Sequence, residues 1–157
     1  MKFPPPATIA ATVFGIGYFP VAPGTVMSAV ATPLAVLLAL HGGFLTVTIG
    51  AMIALAFGIF ACDEHVRLTG REDPAECVID ELAGQWIACA FVSFGRLSIP
   101  AFLAAFLLFR LFDIWKPWPV SWAERRFAGG LGVMLDDVLA GLIAGALAGA
   151  AHYFRLL

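Results

Sequence analysis

The sequence predicts an all-α fold, a polytopic membrane helix bundle of about five spans preceded by an N-terminal interfacial or re-entrant segment. Three observations carry that prediction. Of the 157 residues, 61% are hydrophobic and only 13% are charged, with a mean hydropathy of +0.93; a soluble domain carries about 25% charge. No Asp, Glu, Lys or Arg occurs from Phe3 to Cys62, an apolar length sufficient for two spans of about 20 residues each. The remaining apolar runs are separated by short Gly-, Pro- or charge-bearing stretches, as spans are separated by loops. The length is that of one domain, residues 1–157.

Taken in order, Pro4 to Thr25 is interrupted by Pro and Gly and reads as a short interfacial or re-entrant piece followed by a loop. Pro4, Pro5 and Pro6 would break the helix of a signal peptide at its start, and Lys2 is the sole early positive charge, so a cleaved leader is not expected. A first span is expected from about Val26 to Leu40 with a kink at Pro33, a turn at His41, Gly42 and Gly43, and a second span from Phe44 to Cys62 extending as helix to Leu68. Gly70 is its stop. In DPAE at 73–76, Asp73 reads as an N-cap with Pro74 at the first helical position and Glu76 at the third. The third span then runs to about Phe94, roughly 31 Å at 1.5 Å per residue. A turn at Gly95, Arg96 and Leu97 leads to a fourth span from Ser98 to Trp115, closed by Pro117, which disfavours helix at Lys116. SWAE at 121–124 reads as a capping box opening a short surface helix. Beyond Gly129, Gly130 and Gly132, a last span is expected from Met134 to Tyr153.

Five spans alternate sides. Lys2, Arg67, Arg71, Lys116, Arg125 and Arg126 then share one side against Arg96 and Arg155 on the other; the positive-inside rule makes the first side cytoplasmic. Trp115, Trp118 and Trp122 suit an interfacial belt there. A net charge of −2 gives nucleic acid no complement. Cys62, Cys77 and Cys89, odd in number and within or beside apolar runs, read as small buried hydrophobes.

The same topology brings Asp80 and Glu81, Asp113, and Asp136 and Asp137 to the cytoplasmic side at similar depth. Acidic groups meeting at low dielectric repel unless a cation or protons compensate. Oxygen ligands without His or Cys select a hard divalent ion, and a few carboxylates with water and phosphate are typical of Mg²⁺. Arg110 and Lys116 flank Asp113 by one turn and offer a phosphate its counter-charge. Asp137 continues at four-residue intervals into Gly141, Gly145 and Gly149, and Asp80 into Gly84 and Ala88, small-residue stripes that turn these acids toward the bundle interior. The Gly141 stripe serves packing within one chain or between chains, so a homo-oligomer stays open. Gly24 and Thr25, ending the Gly15 to Thr25 stretch, present backbone N–H groups and a hydroxyl to an anion at the start of span one, or form only a turn.

The other polar residues have plainer readings. Asp73 and Glu76 are helix caps; Asp63, Glu64, Arg67, Arg71 and Glu72 are a solvated face; His41 and His152 are interfacial. A cysteine phosphatase loop closes on Arg after five residues, whereas CDEHVR has four in a predicted helix. No His stands in a PSGH-like setting, and the DxDx[TV] signature is missing. Carboxylates with a metal remain. The rival class is an ion- or proton-coupled transporter using the same carboxylates, although such sites lie near the midplane between repeats and these acids collect at one face.

GIGYFPVAPGT at 15–25, VIDELAGQWIA at 78–88 and FRLFDIWKPWPVSWAERRFAGGLGVMLDDVLAG at 109–141 closely resemble the phosphatidylglycerophosphatase A family of bacterial inner-membrane proteins, over most of the chain. The resemblance implies a Mg²⁺-dependent phosphatase that converts phosphatidylglycerophosphate to phosphatidylglycerol in phospholipid biosynthesis. It maps the family's acidic motifs onto Asp80, Glu81, Asp113, Asp136 and Asp137, with Lys116 in the KPWP element. One departure is Met27 before Ser28, where the family often has Gly-Ser. The expected assignment is Asp80, Glu81, Asp136 and Asp137 on metal, Arg110 and Lys116 on phosphate, and Asp113 as ligand, base or nucleophile.

Overall fold

The computed structural model describes residues 4–157, so Lys2 lies outside the described residues. Within them the fold is all-helical, with six α-helices, one 3-10 turn and no strand. Helix α1 (Pro6–Ala11) begins with a proline at the first position, where a missing N–H costs nothing. A 3-10 turn (Ile16–Tyr18) follows a run of positive φ at Val13, Phe14 and Gly15. The N-terminal stretch is thus a short helix and a turn.

Helix α2 (Pro23–Thr69) is two legs, 23–41 and 44–69, because Gly42 and Gly43 leave helical geometry. Gly43 sits at φ 61°, ψ −148°, a region essentially reserved for glycine. Thr46 Oγ1 lies 2.6 Å from the carbonyl oxygen of Leu38 and 3.0 Å from that of Gly43, its single proton bridging the break. Backbone angles remain helical through Pro33, so the interruption is at the glycines and not at the proline. The helix starts three residues earlier than expected and ends on Gly70 at φ 69°, whose N–H donates to Val66 O at 2.9 Å.

Three boundaries differ from the sequence reading. The DPAE segment does not cap a helix: α3 (Ile79–Val92) begins at Ile79. Glu76, which would close the capping box, is instead held by Arg71 and by His65 Nε2 at 3.4 Å, while the Val78 N–H donates to Ala11 O at 2.9 Å. At 14 residues α3 is about 21 Å long. SWAE forms no cap either, since α5 (Val120–Arg126) makes no side-chain cap bond and Glu124 turns to Lys116 at 2.6 Å. Lastly, α6 (Gly129–Tyr153) starts five residues before Met134. Gly129 enters it at φ 67°, and the next position is glycine because a neighbour is too close for a side chain: a Cβ on Gly130 would overlap Ile59 O and meet Asp63 N at 2.5 Å. Helix α4 (Ile99–Trp115) matches expectation and closes on Lys116, at φ 47°, with its N–H on Phe112 O.

Helix α3 lies between α2 and α6, and α4 packs mainly on α6. The core is alanine-rich, with Ala35, Ala88, Ala105, Ala140, Ala144 and Ala148 fully buried around Phe102 and Phe109. Small residues let these helices approach closely, as in membrane bundles. The outside is apolar: Leu37, Leu45, Met52, Phe57, Phe60 and Leu107 are all exposed. Helices α2 and α6 are each long and apolar enough to cross a membrane. Cys62, Cys77 and Cys89 are free and buried, as read from their surroundings.

Candidate active site

The site follows from one helix crossing. A Cβ on Gly141 of α6 would overlap the carbonyl oxygen of Gly84 on α3, and one on Gly84 would lie 2.7 Å from both Asp137 O and the Phe109 ring. Gly145 and Gly149 similarly face Ala88 and Phe91, so the small-residue stripe is spent on packing within the chain. One turn before the crossing, α3 carries Asp80 and Glu81 and α6 carries Asp137. One carboxylate oxygen from each of these three comes within 4.8 Å of the others. Asp80 and Asp137 are buried, and Glu81 Oε2 and Asp137 Oδ2 have no hydrogen-bond partner. Buried acceptors without donors are rare, and three carboxylates this close call for positive charge between them.

Asp136 lies outside that trio. Its Oδ2 accepts from Lys116 Nζ at 2.9 Å and its Oδ1 from the Asp137 N–H at 3.0 Å. The expected division, with Asp136 among the metal carboxylates and Lys116 free for phosphate, is therefore not what the geometry displays. Lys116 Nζ also donates to Glu124 at 2.6 Å. Burial pushes the Lys116 amine down, but the hydrogen bonds and charges of Glu124 and Asp136 outweigh it and leave the pKa raised, so the ammonium stays charged. Two of its three N–H donors are used.

On α4, Arg110 pairs with Asp113 at 2.5 Å, both nearly buried. The pair is made by Nη1, and Arg110 Nε has no acceptor. A buried guanidinium with an unmet donor is suited to a planar oxyanion.

All five predicted carboxylates, with Arg110, Lys116 and Gly24, line one cavity of about 740 Å³. Thr25 is not on its wall. Gly24, in the first turn of α2, lies so close to Glu81 that a Cβ there would overlap Oε1; the anion nearest this helix start is the protein's own carboxylate. The sequence reading missed Glu72, Glu124, Arg125 and Arg126, which also line the cavity. The available signal was that residues 116–128 link two acid-bearing helices and so must return over the site. Cys77 is on the wall too, but the hydrogen bond with Cys62 and burial raise its pKa strongly, leaving a neutral thiol that is a poor ligand and nucleophile.

Fold and cavity define an all-helical, apolar-surfaced protein with a carboxylate-rich cavity at one end of its bundle. Residues 9–152 match the family model for phosphatidylglycerophosphatase A. The chain belongs to that family of phosphoric monoester hydrolases. It is 34% identical over 157 residues to phosphatidylglycerophosphatase A of Escherichia coli (strain K12), covering 99% of this chain and 90% of that protein. It is 35% identical over 151 residues to phosphatidylglycerophosphatase A of Haemophilus influenzae (strain ATCC 51907 / DSM 11121 / KW20 / Rd), covering 96% and 91%. No solved structure matches the chain.

Proposed function

We propose that this chain is a Mg²⁺-dependent lipid phosphatase that hydrolyses phosphatidylglycerophosphate to phosphatidylglycerol and phosphate in phospholipid biosynthesis. It acts in the bacterial inner membrane, where the chain passes five times through the two legs of α2 and through α3, α4 and α6, with the short α3 enclosed between α2 and α6 and completed by the flanking residues, and with the cavity facing the cytoplasm. The observation that carries the reading is the Asp80, Glu81 and Asp137 trio with two orphaned oxygens, beside the unmet Nε–H of Arg110. An oxygen-only set fits Mg²⁺, and these three residues would hold it. Bound there, Mg²⁺ would neutralise charge on the transferred phosphoryl oxygens.

The chain's own residues supply the rest. Arg110 offers its unpartnered Nε–H to a phosphoryl oxygen while its Nη1 pair with Asp113 fixes that carboxylate at the same wall. Lys116 has one N–H left for a second oxygen and, through Asp136 and Glu124, ties α5 to α6. Donors held in place before reaction stabilise the transition state without reorganisation. Hydrolysis breaks the bond between phosphorus and the glycerol oxygen; water supplies the hydroxyl that stays on phosphate and the proton that goes to the leaving oxygen. Asp113 serves as ligand, base or nucleophile in that step.

The test is phosphate release from phosphatidylglycerophosphate in detergent micelles by purified protein, with Mg²⁺ and with EDTA. Release that EDTA abolishes and Mg²⁺ restores is expected. Release indifferent to EDTA would remove the metal from the account. Ion uptake into vesicles by folded protein, with no hydrolysis under any divalent ion, would replace the phosphatase by a transporter.

A further inference from the structure

The cavity wall carries eight carboxylates, from Glu72, Asp73, Asp80, Glu81, Asp113, Glu124, Asp136 and Asp137, against four cations. Two of those cations are committed, Arg110 to Asp113 and Lys116 to Glu124 and Asp136. The other two are Arg125 and Arg126, in the last turn of α5. Arg125 Nε donates to Ser121 O at 3.0 Å, which fixes the stem and leaves the terminal nitrogens. Arg126 has no hydrogen-bond or ion-pair partner among the described residues. The helix that bears them is anchored, with Val120 and Ala123 buried in the bundle and Glu124 tied through Lys116 to Asp136. Trp118 and Trp122 are exposed on either side of its start, and indoles prefer the headgroup zone.

At about 740 Å³ the cavity falls within the range of sites that enclose a whole small ligand, about 300–1,000 Å³, rather than a phosphate alone. Its charge is divided. The end built by α3 and α6 is acidic and needs a cation before any anion enters, while the α5 wall offers uncommitted guanidinium groups. A ligand with two separated anionic groups matches that division, one at the acidic end with Arg110 and one at the arginine pair.

Resting on the phosphatase reading above, we infer that Arg125 and Arg126 form a specificity subsite for the internal phosphodiester of the substrate, so that the enzyme selects a lipid carrying both a diester and a terminal monoester over one with the monoester alone. Arginine suits this role because its planar fork meets two phosphate oxygens at once. The competing explanation is that the pair attracts any anionic lipid surface, which would treat both lipids alike.

The experiment compares kcat/KM for phosphatidylglycerophosphate and for phosphatidate, at equal mole fraction in neutral detergent micelles with Mg²⁺. It uses the wild type, the R125A/R126A pair and the R125K/R126K pair. Loss of charge-assisted hydrogen bonds to the diester lowers the preference for phosphatidylglycerophosphate by about 10- to 100-fold in the alanine pair, chiefly through KM, with partial recovery in the lysine pair. Phosphatidylglycerol, which keeps the diester and lacks the monoester, is the second probe: its inhibition of the alanine pair weakens by a similar factor. An equal loss on both lipids, or unchanged inhibition by phosphatidylglycerol, overturns the subsite and leaves the phosphatase reading standing. Wild-type protein that releases phosphate from neither lipid takes both down together.

Discussion

Gly24 has no side chain because the Glu81 carboxylate lies where a Cβ would be. That contact is between a backbone that cannot move and the end of a side chain that can, so Gly24→Ala should fold and push Glu81 aside. Displacing a metal carboxylate through its neighbour typically costs 10- to 100-fold in affinity. The Mg²⁺ concentration for half-maximal activity is therefore expected to rise about 10-fold or more, with maximal turnover largely regained at saturation; an unchanged Mg²⁺ curve would contradict the placement of Glu81 in the trio. Glu76 gives a second residue-scale outcome. Burial raises its pKa, but its backbone hydrogen bond, Arg71 and His65 together outweigh burial and leave it below the ordinary value of 4.5. A carboxyl depressed on folding adds stability above its unfolded pKa, and that contribution disappears as pH falls through the folded one. Glu76→Gln should melt lower than wild type near neutral pH, with the two curves converging as pH drops below about 4. Parallel curves across that range would mean Glu76 adds nothing through its charge.

At the scale of elements, the crossing of α3 and α6 sets the distance between carboxylates that are far apart in sequence. A Cβ on Gly141 meets backbone, the Gly84 carbonyl, and backbone cannot swing away. Gly141→Ala must part the helices, at about 1–3 kcal/mol by the usual cost of overpacking, and should lower activity as well as melting temperature because Asp137 moves off Asp80 and Glu81. Gly149→Ala, whose nearest contact is Phe91 Cβ at 3.0 Å two turns further from the site, should lower the melting temperature less and retain turnover. Equal activity in the two variants would show that the crossing does not position the site. The loop before α3 is a second such device: His65 is buried, with Nδ1 3.2 Å from Thr8 Oγ1 and Nε2 toward Glu76, so α1, α2 and the entry to α3 share one buried imidazole.

Across the whole molecule, the convergence of five acids was legible in the sequence because helices that reverse direction bring every second connection to one end, and all five do line one cavity. Helix starts were less legible. DPAE and SWAE carry capping signals, but Glu76 and Glu124 are taken by His65, Arg71 and Lys116, partners that local spacing does not reveal. The glycines at 129, 130 and 132 read as loop until α2 is seen pressed against Gly130. Asp136 and Asp137 could not be told apart by pattern, since neighbours on a helix point about 100° apart and only the rotation of α6 decides which one meets α3. The metal centre depends on that separation. The measurement that tests it directly is Mg²⁺-dependent phosphate release by Asp137→Asn and Asp136→Asn side by side. Removing a ligand of the trio should cost at or beyond about 100-fold, the upper end for groups one shell further out, while Asp136→Asn, which loosens only the Lys116 pair, should stay within about 10- to 100-fold. The reverse order, with Asp136 the more damaging position, would contradict a metal centre built from Asp80, Glu81 and Asp137.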